Sequence, residues 1–170
     1  VSEERARTVV IGLGNPFMTD EGIGVRVLQA LQSEPLPGVE FLELGTGGLS
    51  VMHALGGRAK AVIVDCAFME MTPGALRRFG PEEVRSKKAS NGLSLHESDL
   101  LAVLDVARRC GEAPEEIVLF GIQPERVAPG EALSVALASR LPEYVRAVRQ
   151  ELTQRATNAT DGSTGKGGPC

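Results

Sequence analysis

Residues 9–24, VVIGLGNPFMTDEGIG, put two adjacent carboxylates, Asp20 and Glu21, behind a glycine-punctuated turn at the start of a helical pattern. A helix start offers free N–H groups that attract anions, so a carboxylate already there competes with phosphate and invites a cation. Other groups able to do chemistry follow along the chain. Glu43 precedes Thr46, Gly47 and Gly48; Asp65 precedes Cys66; His96 precedes a leucine-rich stretch; Gln123, Pro124 and Glu125 close an apolar run. Carboxylates crowded together raise one another's pKa and cost stability unless a cation compensates. A divalent ion held by two carboxylates and an imidazole is one solution. Such a mixed oxygen and nitrogen set with open positions suits Zn²⁺ or Ni²⁺ better than Mg²⁺ or Ca²⁺.

Each of these residues also has an ordinary reading. Glu21 alone could be a helix-start acid, stabilising by about 0.3–1 kcal/mol. Asp65 could be a strand-end turn residue, His96 a surface or capping group, His53 a structural helix residue and Cys66 a small buried hydrophobe. Only convergence on one edge of a fold would favour the metal reading. The nucleotide reading is weaker: Gly12-Leu13-Gly14-Asn15-Pro16-Phe17 fails the dinucleotide pattern at its sixth position, where close packing wants glycine or alanine. Neither a Gly-Lys-Ser/Thr phosphate loop, a G-x-S-x-G elbow nor an H-E-x-x-H helix occurs.

The elements that must position these groups alternate between strand and helix. Short apolar runs predict strands over 8–13, 39–44, 60–67 and 117–122, with a further strand over 74–79. Helical periodicity predicts helices over 21–31, 49–55 and 98–110, the last closed by Gly111, and a final helix over 134–156 bent at Pro142. Residues 85–91 read as a polar, basic loop. Alternating units of this kind predict an α/β fold: one domain over 1–156, a twisted, mainly parallel sheet with helices on both faces. In such sheets ligands sit at the carboxyl ends of the strands, where the groups named above fall. Residues 157–170, TNATDGSTGKGGPC, lack apolar content and are expected to be a disordered tail.

Composition narrows the classes. With 170 residues, 42% hydrophobic and 24% charged, the chain can bury a core as a single domain. A net charge of −4 with no basic stripe argues against a nucleic-acid partner. No apolar run approaches the roughly 20 residues that span a bilayer. Cys66, Cys110 and Cys170 show no C-x-x-C spacing, and VSEERAR has no apolar signal core, so a reduced, cytoplasmic setting is expected.

Five segments, taken in order, resemble the hydrogenase maturation endopeptidases. That family's leading G-x-G-N-x-x-x-x-D-[DE] segment is matched by Gly12, Gly14, Asn15, Asp20 and Glu21, followed by Gly24. Its acid before a glycine–threonine turn is matched by Glu43 through Gly48, its strand-ending aspartate by Asp65, and its Ser-x-His by Ser94-Leu95-His96. Its G-[IV]-x-P-E is matched by Gly121, Ile122, Pro124 and Glu125. Two departures stand out: Glu43 replaces the usual aspartate, and Leu44 replaces a glycine. The G-L-G-N-P start is shared with peptidyl-tRNA hydrolases, whose histidine shortly after this motif has no counterpart before His53.

The resemblance implies a phosphorylase/hydrolase-like three-layer sandwich and a nickel-dependent, aspartic-type endopeptidase. Its substrate would be the large-subunit precursor of a nickel–iron hydrogenase, which loses a C-terminal extension after nickel insertion. It implies metal ligands at Glu21, Asp65 and His96, which meet the nickel presented by the substrate, with zinc or another divalent ion as a substitute. Glu43 is a candidate catalytic acid, and Asp20, Thr46, Gly47 and Gly48 are candidate substrate-binding residues, the last three as oxyanion donors. A monomer is expected. The alternatives are a non-hydrolytic metal-binding or sensing module and, less favoured, a peptidyl-tRNA hydrolase-like esterase.

Overall fold

The computed structural model describes residues 6–83, 94–95 and 97–154. Along the chain run β1 (Thr8–Gly12), a 3₁₀ turn (Thr19–Gly22), α1 (Ile23–Gln32), β2 (Val39–Glu43), α2 (Leu49–Leu55), β3 (Lys60–Phe68) and β4 (Leu76–Phe79). Then follow β5 (Ser94–Leu95), α3 (Glu97–Arg109), β6 (Glu116–Ile122), α4 (Val135–Ala138) and α5 (Leu141–Thr153). The sheet order is β2-β1-β3-β6-β4, with the short β5 pairing the end of β3. Strands β1, β2, β3 and β6 are parallel, and β4 and β5 run antiparallel to their neighbours. The α/β expectation of a mainly parallel sheet with helices on both faces is met.

Strict alternation along the buried strands divides the core in two. Val9, Ile11, Ala61, Ile63 and Leu119 face Leu55 of α2 and Leu104 of α3. Val10, Val62, Val64, Val118 and Phe120 face Val27 and Leu28 of α1 and Tyr144 and Val148 of α5. Removing each Val, Ile, Leu or Phe side chain among these from water contributes roughly 1.5–3 kcal/mol. The two cores therefore fix the sheet, and the sheet fixes its carboxyl rim.

Most boundaries shift by a residue, and three differences from the sequence expectation are larger. Asp20 and Glu21 lie in the 3₁₀ turn rather than on α1, which starts at Ile23 with Gly22 as its N-cap. The final helix is two helices, because Pro142 lacks an N–H and starts a helix more readily than it continues one. The strand expected over 74–79 begins at Leu76, since Gly74 has φ of 82° and belongs to the preceding turn. The basic loop over 85–91 and the tail over 157–170 lie outside the described residues.

The amino ends of the strands carry a polar staple. Lys60 Nζ donates to Glu151 Oε1 at 2.7 Å and to Glu116 Oε1 at 2.9 Å, and Arg78 Nε donates to Glu151 Oε2 at 2.7 Å. Arg58 pairs with Glu40 beside it. Charge is thus concentrated and neutralised at the pole opposite the candidate site.

Candidate functional site

The turn after β1 is built by glycines that permit close backbone approach. Gly14 has φ of +117°, and a Cβ there would stand 1.9 Å from the carbonyl oxygen of Glu21. A Cβ on Gly24 would meet the carbonyl oxygens of Leu13 and Val64 at 2.3 Å. These contacts press the 3₁₀ turn and the start of α1 onto β1 and β3, which brings Glu21 to the carboxyl rim.

Asp65 reaches the same rim from β3. It sits opposite Gly121 of β6, one residue beyond the Gly12–Val64 pairing. Asp65 is 1% exposed and Glu21 is 8% exposed. The thiol of Cys66 reports their joint field: burial first, then the negative charges of Asp65, Glu21 and Asp20, push its pKa far above the ordinary thiol value. A neutral thiol is favoured there for the same reason that a cation would be. Cys66 itself packs in the α1-side core, as a small hydrophobe.

His96 lies outside the described residues. The flanking β5 pairs Leu95 with Ala67 and Ser94 with Phe68, at the carboxyl end of β3. Among the described residues, no group of three or more His, Cys, Asp or Glu side chains is disposed to hold a metal ion. Glu21 and Asp65 supply two hard oxygen donors, which fit part of a divalent site and need a further ligand to complete it.

The remaining expected residues fall differently. Glu43 ends β2 opposite Gly12 and is exposed. Pleating puts it on the α1 side of the sheet with Phe41, whereas Asp65 shares the other face with Ile63 and Ala67. Gly47 donates its N–H to the Leu44 carbonyl at 3.0 Å, so this donor closes its own turn and is not directed at a substrate. The turn is tied to the glycine loop through Gly14 N–H and Gly45 O at 2.7 Å, which seats Thr46 and Gly48 at the rim.

Asp20, expected among the substrate-binding residues, is instead fully buried and holds a loop. Its Oδ2 accepts from the N–H groups of Glu125 at 2.9 Å and Arg126 at 3.0 Å, and its Oδ1 accepts from Ser134 N–H at 2.7 Å. Thr19 completes the clasp. Its hydroxyl donates to Arg126 O and accepts from Ala128 N–H, and its own N–H donates to Gly130 O at 2.7 Å. Gln123 does the same for the loop after β3, accepting from Met69 N–H at 2.7 Å and Met71 N–H at 3.3 Å. Thr19 and Gln123 as positioning residues were not anticipated; the backbone groups their side chains hold in these two clasps lie 52 to 109 residues away, beyond any local pattern.

A mainly parallel sheet covered by helices, with Glu21 after β1 and Asp65 on β3 recessed at its carboxyl rim, defines an α/β protein with its candidate site at the carboxyl ends of the strands. Comparison with known proteins gives the particular family. The family profile described as hydrogenase maturation protease matches residues 25–151, and the chain belongs to that family of proteases. It is 31% identical over 156 residues to the hydrogenase 2 maturation protease of Escherichia coli, covering 90% of this chain and 94% of that protein. It is 34% identical over 121 residues to the hydrogenase expression/formation protein HoxM of Cupriavidus necator, covering 70% of this chain but only 60% of that protein. The solved hydrogenase maturating endopeptidase HybD from E. coli superposes with a TM-score of 0.76 at 31% identity, covering 86% of this chain and 91% of that one. Among the described residues, no helix is long and apolar enough to cross a membrane.

Proposed function

We propose that this protease removes the C-terminal extension from the nickel-loaded large-subunit precursor of a nickel–iron hydrogenase. The observation that carries the reading is the meeting of Glu21 and Asp65, both recessed, at one rim of a hydrogenase maturation protease fold. The nickel belongs to the substrate. Glu21 and Asp65, together with His96, are the groups that meet it, and the precursor's own ligands fill the other positions. Buried carboxylates favour a doubly charged ion over the apo state by relieving their mutual repulsion. A bound divalent ion supplies Lewis acidity near the scissile carbonyl.

The chain's own contribution is positioning. Asp20 and Thr19 hold the loop after β6 against the 3₁₀ turn, so Glu21 is fixed before substrate arrives. Glu43, exposed at the end of β2, is the candidate acid for orienting water at the outer edge of the site. The setting we assign is cytoplasmic and the acting unit a monomer.

Intact-mass analysis of a precursor incubated with the purified protein is the test. Removal of the extension from the nickel-loaded precursor but not from its nickel-free form is expected. Glu21→Gln and Asp65→Asn should each abolish cleavage of the nickel-loaded precursor and binding of a divalent ion by the purified protease alone. Equal cleavage of both precursor forms would overturn the nickel-gated reading, and full activity in both variants would overturn the site assignment. Tight binding of an uncut precursor would point to the non-hydrolytic alternative.

A further inference from the structure

The sheet ends at β2, whose one neighbour among the described residues is β1. A strand in a parallel ladder turns alternate residues toward each side. Leu44 N–H donates to Gly12 O, and Glu43 is in register with Gly12, so Glu40 and Leu42 turn their backbone groups to β1. Phe41 and Glu43 therefore point their N–H and C=O groups outward, while Val39 N–H donates to Leu36 O. Proteins blunt such edges with charge, proline or a very short strand. The other edge, β4, has four residues, with Arg77 and Arg78 at its centre. β2 has five, VEFLE, with neither lysine nor proline, and its mid-strand Glu40 is turned to Arg58.

A groove of about 550 Å³ lies beside the same strand, with Glu40, Leu42 and Leu44 on one wall and Leu49, His53 and Arg58 on the other. Pleating sets the even-numbered side chains of β2 on the α2 face, where Leu42 and Leu44 pack against the core. Helix α2 covers β1 through Val51 and Leu55 and leaves Leu49, 76% exposed, lining the groove. A strand laid against β2 would meet Phe41 and Glu43 with its backbone and place alternate side chains in this groove. The row of backbone groups and the groove thus call for one kind of occupant, an extended peptide.

We propose that β2 takes the cleavable extension of the precursor as an added antiparallel strand, with an apolar side chain opposite Leu42 in the groove. The inference rests on the proposed function and adds a binding subsite to it. The edge is continuous with the site: Glu43 is in register with Gly12, and Gly12 with Val64, the residue before Asp65. An extension leading away from a scissile bond at the carboxyl rim runs toward the amino ends of the strands, hence antiparallel to β2. The added strand stands three strand spacings from β3, about 14 Å. Four or five extended residues, at about 3.3–3.6 Å each, span that gap. Pairing with a second copy would instead set two acidic edges, each carrying Glu40 and Glu43, side by side.

The test is steady-state cleavage by the full chain of two nickel-loaded precursors, one with its whole extension and one cut back to four residues after the scissile bond. Truncation should raise KM by about tenfold or more with kcat nearly unchanged, as expected when binding remote from the reacting bond is lost. Phe41→Pro removes the outward N–H without touching the ladder to β1, and should raise KM for the whole extension by about three- to tenfold. It should leave KM for the truncated form unchanged. Phe41→Ala keeps the N–H and should hold the wild-type KM. If Phe41→Pro melts early, Leu49→Asp puts a charge on the groove wall and should raise KM for the whole extension alone. Equal KM for the two precursors with the wild-type chain would overturn strand addition while leaving the protease reading intact. Equal rises in Phe41→Pro and Phe41→Ala would overturn it too, by showing side-chain packing instead of backbone pairing. So would a homodimer in sedimentation that Phe41→Pro dissolves. A wild-type chain that cuts neither precursor would overturn the proposed function itself.

Discussion

Replacing Asp20 by asparagine separates a loop-holding carboxylate from a substrate-binding one. In the structure three backbone N–H groups converge on its two oxygens, at 2.9, 3.0 and 2.7 Å. Asparagine has one acceptor oxygen. If that oxygen serves Glu125 and Arg126, the amide NH₂ confronts the Ser134 N–H and one bond is lost, while the other two lose their charge. Hydrogen bonds to a charged group contribute about 1.5–3 kcal/mol each. One lost and two weakened bonds therefore predict a cost of about 2–4 kcal/mol. Glu125 and Arg126 are exposed, so water can satisfy their N–H groups once the loop lifts. The loop should consequently open before the domain unfolds. Amide hydrogen exchange over residues 125–134 should accelerate by about 30- to 800-fold, taking one decade per 1.4 kcal/mol. Tm should fall by about 5–15 °C in a domain of this size if the loop's opening is felt globally. Wild-type exchange rates across 125–134 in Asp20→Asn would refute the reasoning, whatever happened to activity.

Other outcomes follow from the same structure. Gly14→Ala should prevent folding, since its Cβ would lie 1.9 Å from Glu21 O at a φ of +117°, whereas Gly38→Ala, with φ of 73° and open space, should cost about 1 kcal/mol; urea melts of the two variants check this, and a folded Gly14→Ala protein would contradict the close approach. Glu151 is held below its ordinary carboxylate value, first by the Arg78 hydrogen bond and also by Lys60. Its folded pKa is the lower one, so its contribution to stability is complete above pH 4.5 and is lost as pH falls through the depressed folded value. Urea midpoints measured down the acid range should fall less steeply in Glu151→Gln than in wild type. Cys66 should resist iodoacetamide at pH 8 in the native protein while exposed Cys110 reacts, because burial and three neighbouring carboxylates keep the Cys66 thiol protonated; peptide mapping distinguishes the two sites.

The run AVIV before Asp65 and the glycines flanking Asp20 and Glu21 carried their structural meaning locally. A continuous apolar strand must be covered on both faces, and a glycine-punctuated turn must bring backbones close, whatever lies elsewhere. That is why the parallel sheet, its rim and the arrival of Glu21 and Asp65 there were legible from residue types and spacing. His96 was singled out by residue type and its place before a leucine-rich helical pattern, and it lies outside the described residues.

What the tertiary structure decided concerns pairs far apart in the chain. Asp20 looked like a second site acid, and only the loop 105 to 114 residues later shows that its oxygens are occupied. Lys60 and Glu151, which no local pattern links, meet in a buried pair across 91 residues. Pleating set Glu43 and Asp65 on opposite faces, although both end strands in sequence. Phe17 read as a failed glycine position and stands 65% exposed, its carbonyl accepting from Gly130 N–H at 2.8 Å, a partner no local pattern names. Local propensity and periodicity determine which elements form, because they act over a few residues. Hydrogen-bond satisfaction and exposure depend on which distant groups arrive, so only the folded chain assigns them.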